Sequence, residues 1–287
     1  EITLEANPGT VDAGRLREFR AAGVNRLSLG AQSLDDALLA RIGRIHGRAE
    51  ILSAAEGIAA AGFDNWNLDL MYGLPGQTPE QALADVREAV ALAPTHISHY
   101  QLTLEPNTAF YHSPPSLPDD DTAWEMQRHC QAELAAQGYA QYETSAYARD
   151  SRRCRHNLNY WHFGDYLGLG AGAHGKLSFP DRIVRQVRWR EPAAYMAKAL
   201  AGQAVSNENV VPASDLPFEF MLNALRLREG FELARFVERT GLPLSAIAAP
   251  LAEAQTRGLI EQAGGWLKPT PRGFDFLSDL QSLFLTD

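Results

Sequence analysis

Four segments in the first part of the chain, EITLEANP, NRLSLGAQS, NWNLDLMYG and THISHYQLTLEPN, read as strands separated by helical stretches. That alternation is the pattern of parallel βα units. A strand sends successive side chains to opposite faces. Ile2 and Leu4 therefore oppose Thr3, Glu5 and Asn7, and Leu27, Leu29 and Ala31 oppose Ser28, Gly30 and Gln32. In the third segment Leu68 and Leu70 oppose Asn67 and Asp69; in the fourth, Tyr100, Leu102 and Leu104 are set against His99, Gln101, Thr103 and Glu105. Strands covered on both faces normally read as unbroken apolar runs, and a closed eight-stranded barrel fills its interior with bulky apolar layers. Four successive strands that each keep a polar face predict an α/β fold with a wider or incomplete parallel barrel and a wet lumen. Polar groups that merely bond loops at the barrel mouth are the plainer explanation for any one of these residues, but a poorer one for all four strands.

The helices between them have readable ends. Thr78, Pro79 and Gln81 form a capping box that opens one helix, Ser33 with Asp36 is expected to open another, and Gly62 is expected to stop a third. Beyond Leu104 a Pro/Asp-rich loop leads to a helix expected to turn Trp124, Met126 and Leu134 inward, and AQYETSAYAR reads as one strand. RQVRWREPAAYMAKALAG reads as a strand and a helix. The polar, Pro-containing stretch SNENVVPASDLP reads as a linker, which divides the chain into residues 1–206 and 207–287. The order of helices and β ribbon in the second part suggests a small α+β winged-helix-like domain.

Charge and cysteine usage exclude several classes. The net charge of −9 argues against general nucleic-acid binding and against attraction to anionic membranes. The segment from Ala213 onward has ten acidic and seven basic residues, a net of −3, whereas a DNA-reading wing is normally basic. No apolar run approaches the roughly 20 residues of a membrane span. Two cysteines, Cys130 and Cys154, make no disulfide framework and point to the reducing cytoplasm. The chain opens on EITLEANPG, with no initiator methionine, and reads as a protein lacking its N-terminal portion.

EITLEANPG, RLSLGAQS with RIGRIHGR behind it, NLDLMYGLPGQT and HISHYQLTLEPNT together resemble the radical S-adenosylmethionine proteins related to oxygen-independent coproporphyrinogen III dehydrogenase. CRHNLNYW is similar to the HNxxYW signature of the HemW-type haem chaperones in that superfamily. The resemblance covers almost the whole chain. It implies a barrel lacking two of the eight βα units, and S-adenosylmethionine as a ligand of Glu5, Gln32, Arg44, Asp69 and Thr103. It also implies main-chain contact near His174, in the glycine-rich GLGAGAHG. That loop read alone is a weak dinucleotide signal, since no clear strand-to-helix turn surrounds it. A [4Fe–4S] cluster would be held by a CxxxCxxC motif, which this sequence lacks and which the reading assigns to a segment ahead of Glu1.

RRCRHNLNYWHFGDYLGLGAGAHG, from Arg152, carries the second set of candidates. If HNLNYW is helical, His156 and Tyr160 share one face, as do Asn157 and Trp161. Haem offers an iron that favours imidazole, a flat apolar face for aromatic packing, and propionates for arginine. Arg152, Arg153, Arg155, His156, Tyr160 and Trp161 match those three demands. By residue type alone His156 is more readily a core histidine; the resemblance makes it a candidate for the haem iron, with Cys154 as the rival ligand. The implied function is a cytoplasmic haem chaperone that delivers haem to haem-requiring enzymes such as respiratory proteins, with dimerisation of like chains a further expectation. The alternative is the coproporphyrinogen III oxidase (dehydrogenase) itself, removing two propionate carboxyls by radical chemistry. An unrelated βα-barrel enzyme acting on a phosphorylated metabolite is a third reading, and it lacks a phosphate loop.

Overall fold

The structure, a computed structural model, describes residues 1–285. The chain forms two compact units, Glu1–Arg153 and Cys154–Asp287.

The first unit is built on one six-stranded sheet. Its strands are β1 (Thr3–Ala6), β2 (Arg26–Gln32), β3 (Trp66–Tyr72), β4 (His96–Gln101), β5 (Ala140–Glu143) and β6 (Ala146–Ala148), in the order β1-β2-β3-β4-β6-β5. β1 to β4 are parallel, as the alternation with helices requires. β6 runs antiparallel to β4, and AQYETSAYAR is therefore a hairpin rather than one strand. The reversal at Thr144 and Ser145 is held by the Glu143 carboxylate, which accepts from the Ser145 amide at 3.0 Å. The sheet does not close on itself, so it is an incomplete barrel of the expected kind.

Its apolar face presents Leu27, Leu29, Leu68, Leu70 and Ile97 to Leu39, Ile51, Ile58, Val86, Met126 and Leu134 of the helices, all buried. Each such side chain contributes about 1.5–3 kcal/mol relative to exposure. The helix Pro79–Ala91 opens with the expected capping box, Thr78 exchanging bonds with Gln81. Helix Arg48–Ala60 is followed by Gly62 at φ +79°, the expected stop. Helix Asp36–Arg41 is capped by Asp35, not Ser33, because the Ser33 hydroxyl donates to Asp85 at 2.7 Å. In helix Asp120–Ala136 the buried positions are Ala123, Met126, Cys130 and Leu134, at intervals of three and four. Trp124 falls off that stripe and is 43% exposed, with Arg128 over its ring.

The second unit holds two small sheets. β7 (His174–Ser178), β8 (Ile183–Arg188) and β9 (Val205–Val210) form an antiparallel one. β9 occupies the first part of the segment read as a linker, and the expected boundary at 206/207 falls inside this strand. It is an edge strand exposed along nearly its whole length, so Ser206, Asn207, Glu208 and Asn209 show no apolar alternation. The other sheet, β10 (Phe231–Glu232), β11 (Ile260–Ala263) and β12 (Trp266–Pro269), follows helices in the expected winged-helix order. Its core centres on Phe220, whose ring meets Phe163, Phe231 and Phe236 at 5.2–5.6 Å.

Three buried groups set how the stability of the first unit responds to acid. Burial lowers His96 to about 3 and His99 to about 4, and raises Asp85 to about 6. Below pH 6.5 the unfolded chain protonates both imidazoles while the folded one keeps them neutral, so unfolding takes up two protons. Asp85 works the other way, because the folded state holds a proton up to about 6 that the unfolded chain loses near 3.8. The net uptake is one proton between pH 6 and 4, and stability is expected to fall by about 1.4 kcal/mol per pH unit as pH drops. Urea unfolding across that range measures this; His99→Phe should flatten the dependence and Asp85→Asn should steepen it.

Candidate functional site

At the end of β2 the pairing with β3 slips between Gly30 and Gln32, and Gln32 takes φ +73°. A side chain other than glycine is held in that left-handed region only when its surroundings fix it. Here Ser33 and the Leu34 amide are both bound by the Asp85 carboxylate at 2.7 Å, and His46 Nε2 lies 3.3 Å from the Ala31 carbonyl. The Gln32 side chain folds over Gly30, where a Cβ would stand 2.9 Å from Gln32 Nε2 and 3.3 Å from Asn7 Oδ1.

The Gln32 Oε1 accepts from the Tyr100 hydroxyl at 2.7 Å. Burial raises the Tyr100 phenol to about 12; the Asp69 carboxylate adds to the rise, Arg44 opposes it, and Glu5 adds weakly. Charge interactions of that kind need proximity. The β1–β2 register sets Glu5 beside Ser28, whose hydroxyl bonds Asp69, and Gln32 bonds Tyr100, so these share the polar face; Arg44 follows helix Asp36–Arg41 and enters through its charge. Glu5 and Arg44 are exposed, Asp69 is half-buried and Gln32 is buried, so the group is open on one side. Asp69 is oriented from below, accepting from Asn67 Nδ2 at 2.8 Å and Ser28 Oγ at 3.2 Å. The set offers carboxylate acceptors, an amide, a phenol and a guanidinium, which suits a ligand bearing hydroxyls, an ammonium and a carboxylate.

Tyr100 was read onto the apolar face, and the register corrects this. Asn67 pairs with His96, Asp69 with Ser98 and Met71 with Tyr100, so His96, Ser98 and Tyr100 share the polar face. His99 lies on the other face, stacked on Tyr72 at 4.8 Å. Thr103 is not on a lumen face: β4 ends at Gln101, and after Leu102 gives its amide to the Tyr72 carbonyl the chain leaves the sheet, with Thr103 exposed. Sequence reasoning also missed Asp85, although a carboxylate between Ala82, Val86 and Ala89 on an otherwise apolar helix stripe is a readable sign of a tethered group.

In the second unit, HNLNYW is helical, within Arg155–Trp161. His156 and Tyr160 meet edge-to-face at 4.8 Å, and Tyr160 continues to Tyr166 at 4.6 Å. Arg185 donates to the Tyr166 hydroxyl at 3.1 Å while pairing with Glu219 at 2.5 Å. His156 is exposed, Asn157 and Tyr160 are half-buried, and Leu167 and Leu169 beyond them are exposed. Trp161 is half-buried, with Arg226 4.2 Å over its ring. Cys154 is buried at the helix N-terminus. Arg152 and Arg153 belong to the first unit, where Arg152 pairs with Asp64 and Arg153 lies over Tyr142.

Lys176 anchors this region. Its ammonium is 2% exposed and donates to Phe163 O, Asp165 Oδ1 and Ser178 Oγ, each at 3.1 Å. His174 opens β7 and is exposed. The glycines before it serve their own turn, since a Cβ on Gly168 would fall 2.3 Å from the His174 carbonyl oxygen and Gly170 takes φ +110°.

Cys130 and Cys154 lie in separate units, both buried, and burial pushes the Cys130 thiol up to about 12. Two such thiols do not fit an iron–sulfur cluster, and no His/Cys/Asp/Glu group that could hold a metal exists among the described residues. No described helix is long and apolar enough to cross a membrane.

Comparison with known proteins follows this geometry. Residues 1–89 match the Radical SAM superfamily and residues 211–276 match the HemN C-terminal domain. The chain is 47% identical over 288 residues to "Heme chaperone HemW" of Escherichia coli strain K12, covering 100% of this chain and 75% of that one. The protein of the same name from Haemophilus influenzae is 48% identical, with 100% and 74% covered. That of Bacillus subtilis is 34% identical, with 95% and 73% covered. Among solved structures, coproporphyrinogen III oxidase (HemN) from Escherichia coli superposes with a TM-score of 0.81 at 20% identity, covering 99% of this chain and 69% of that one. At that identity the likeness speaks for the fold.

Tyr100→Phe tests the packing of the first cluster. It leaves the buried Gln32 acceptor without its donor and is expected to cost about 1–3 kcal/mol in urea unfolding.

Proposed function

Because the chain belongs to the HemW family of the radical SAM superfamily, we propose that it holds haem and passes it to haem-requiring enzymes in the cytoplasm. The observation that carries this reading is the aromatic series of exposed His156 and half-buried Tyr160 and Tyr166, with ring centroids 4.8 and 4.6 Å apart. An exposed imidazole can ligate iron, and adjoining rings offer a face to a porphyrin. Leu167 and Leu169, 69% and 80% exposed, extend the apolar character. Of the three arginines expected to meet propionates, Arg155 lies on the same helix as His156. Arg152 and Arg153 have partners in the first unit, and Trp161 packs under Arg226, so these three are weaker candidates for contact.

S-adenosylmethionine is the ligand proposed for the first unit. Glu5 and Asp69 suit its ribose hydroxyls or ammonium, Arg44 its carboxylate, and Gln32 with Tyr100 its remaining polar edge. Within the family such a ligand supplies a sulfonium beside an iron–sulfur cluster; the residues described here hold no cluster, and their work is to bind and orient. Thr103 is proposed as a main-chain contact only, and His174, which belongs to the second unit, is not proposed for this group. Haem-accepting enzymes and a second copy of the chain are the proposed partners. The oxidase alternative rests on fold likeness alone.

Two measurements test the reading. Haemin titration should give a saturable Soret change, and His156→Ala should shift the band and weaken affinity about tenfold while Cys154→Ser leaves both in place. An unchanged spectrum for His156→Ala rejects ligation there, and loss in Cys154→Ser transfers it to the thiol. Calorimetry with S-adenosylhomocysteine should show affinity lowered about tenfold by Glu5→Gln and by Asp69→Asn, the scale of one hydrogen bond to a charged group.

A further inference from the structure

Below the proposed adenosyl site, the polar face of the first unit carries a hydrogen-bonded chain whose direction can be worked out. Asp69 begins it. An ionised carboxylate only accepts, so the Asn67 atom 2.8 Å from Asp69 Oδ1 must be the amide nitrogen. The same nitrogen donates to Ser28 Oγ at 2.8 Å, and Ser28 passes its own proton to Asp69 Oδ2 at 3.2 Å. Asn67 Oδ1 is left as an acceptor, taking the Ser98 hydroxyl at 3.0 Å and His96 Nδ1 at 2.6 Å. His96 must then carry its proton on Nδ1. Its Nε2 accepts, at 2.8 Å, from the Tyr142 hydroxyl. Every donor in the series points toward Asp69.

His96 is 1% exposed, Asn67 2% and Tyr142 2%. An imidazole so placed stays neutral, since burial opposes its charge and Arg26 adds to that effect. A single tautomer is therefore locked by two partners, and Asn67, with all four of its hydrogen-bonding capacities used, has no alternative orientation. Burying polar groups on a sheet face is costly unless each is satisfied. This set is satisfied, and its terminus is the one carboxylate of the series that faces the proposed ligand.

We propose that His96 is a positioning residue for the adenosyl ligand: its Nδ1–H fixes the Asn67 amide, which presents the Asp69 carboxylate in one orientation. This inference rests on the reading of Glu5, Gln32, Arg44 and Asp69 as ligand contacts. His96 itself touches no ligand. The series runs over Ser28 on β2, Asn67 and Asp69 on β3, His96 and Ser98 on β4 and Tyr142 on β5, so four strands must keep register for Asp69 to be aimed.

The test is a double-mutant cycle on the affinity of the purified protein for S-adenosylhomocysteine, with folding checked by circular dichroism. His96→Leu is expected to weaken binding about tenfold, while His96→Asn, which keeps a donor near the Nδ1 position, should stay within about threefold of the parent. In an Asp69→Asn background His96→Leu should cause no further loss, because it acts only through that carboxylate. An additive loss there, or full affinity in His96→Leu, overturns the inference while leaving the ligand reading intact. No effect of Asp69→Asn, or no binding by the parent, overturns the ligand reading and the inference with it. Should His96→Leu not fold, Tyr142→Phe serves in the same cycle, with a loss of about threefold expected only where Asp69 is present and an additive or absent loss counting against the proposal.

Discussion

The parallel register of β2, β3 and β4 is the constraint on which the first unit depends. It aligns Gly30 with Asp69 and Asp69 with Ser98, so one carboxylate stands at the middle of a polar face with donors on both sides. A shift of one residue would turn Asn67 and Asp69 toward the helices and Leu68 and Leu70 toward the lumen. Both outcomes are costly, because the helix side faces Asn67 and Asp69 with Leu39, Ile51 and Val86. The apolar face thus enforces the register, and the register assembles the polar one. Stability and binding geometry are two consequences of the same pairing.

The same logic explains the acid that sits among the helices. Asp85 is buried on the stripe of helix Pro79–Ala91, and it is tolerated because Ser33 and the Leu34 amide both donate to it. Its tether reaches the two residues following Gln32, the position that bears the left-handed strain. A buried carboxylate raised to about 6 is thereby a brace for a strained strand end. Raised acids often mark catalytic work. Here the hydrogen-bond partners assign a structural role.

Much of this was legible in the sequence, and the failures have specific causes. Glu5, Gln32 and Asp69 could be put on one face because alternation in the first three strands is unambiguous, whereas Arg44, beyond helix Asp36–Arg41, was supplied by the family resemblance alone. The fourth strand misleads because both of its faces carry polar residues: His96, Ser98 and Tyr100 on one, His99 and Gln101 on the other. Only the pairing with β3 decides which set faces the lumen, and pairing is a tertiary fact. β9 was hidden for the opposite reason, since an exposed edge strand needs no apolar alternation and its Ser, Asn and Glu residues read as a linker. Trp124 is expected inward from the sequence, but the three- and four-residue spacing of Ala123, Met126, Cys130 and Leu134 excludes it from the buried stripe.

The two units differ in how firmly they hold their functional groups, and the difference bears on the proposed role. The ligand groups of the first unit are braced by buried hydrogen bonds to several strands, which favours a ligand held in one pose. The aromatic series of the second unit projects from the short helix Arg155–Trp161 and a loop beyond it, secured from beneath by Lys176 and at Tyr166 by Arg185. Its imidazole and the leucines beside it stay exposed. A carrier that must surrender a flat, apolar cargo gains from an open surface, because an enclosed pocket would add buried area and slow release. A porphyrin-modifying enzyme has the contrary requirement, since its reactive chemistry needs water excluded around the substrate. The exposure of His156, Leu167 and Leu169 therefore weighs toward the proposed carriage and against chemistry on the macrocycle at that face.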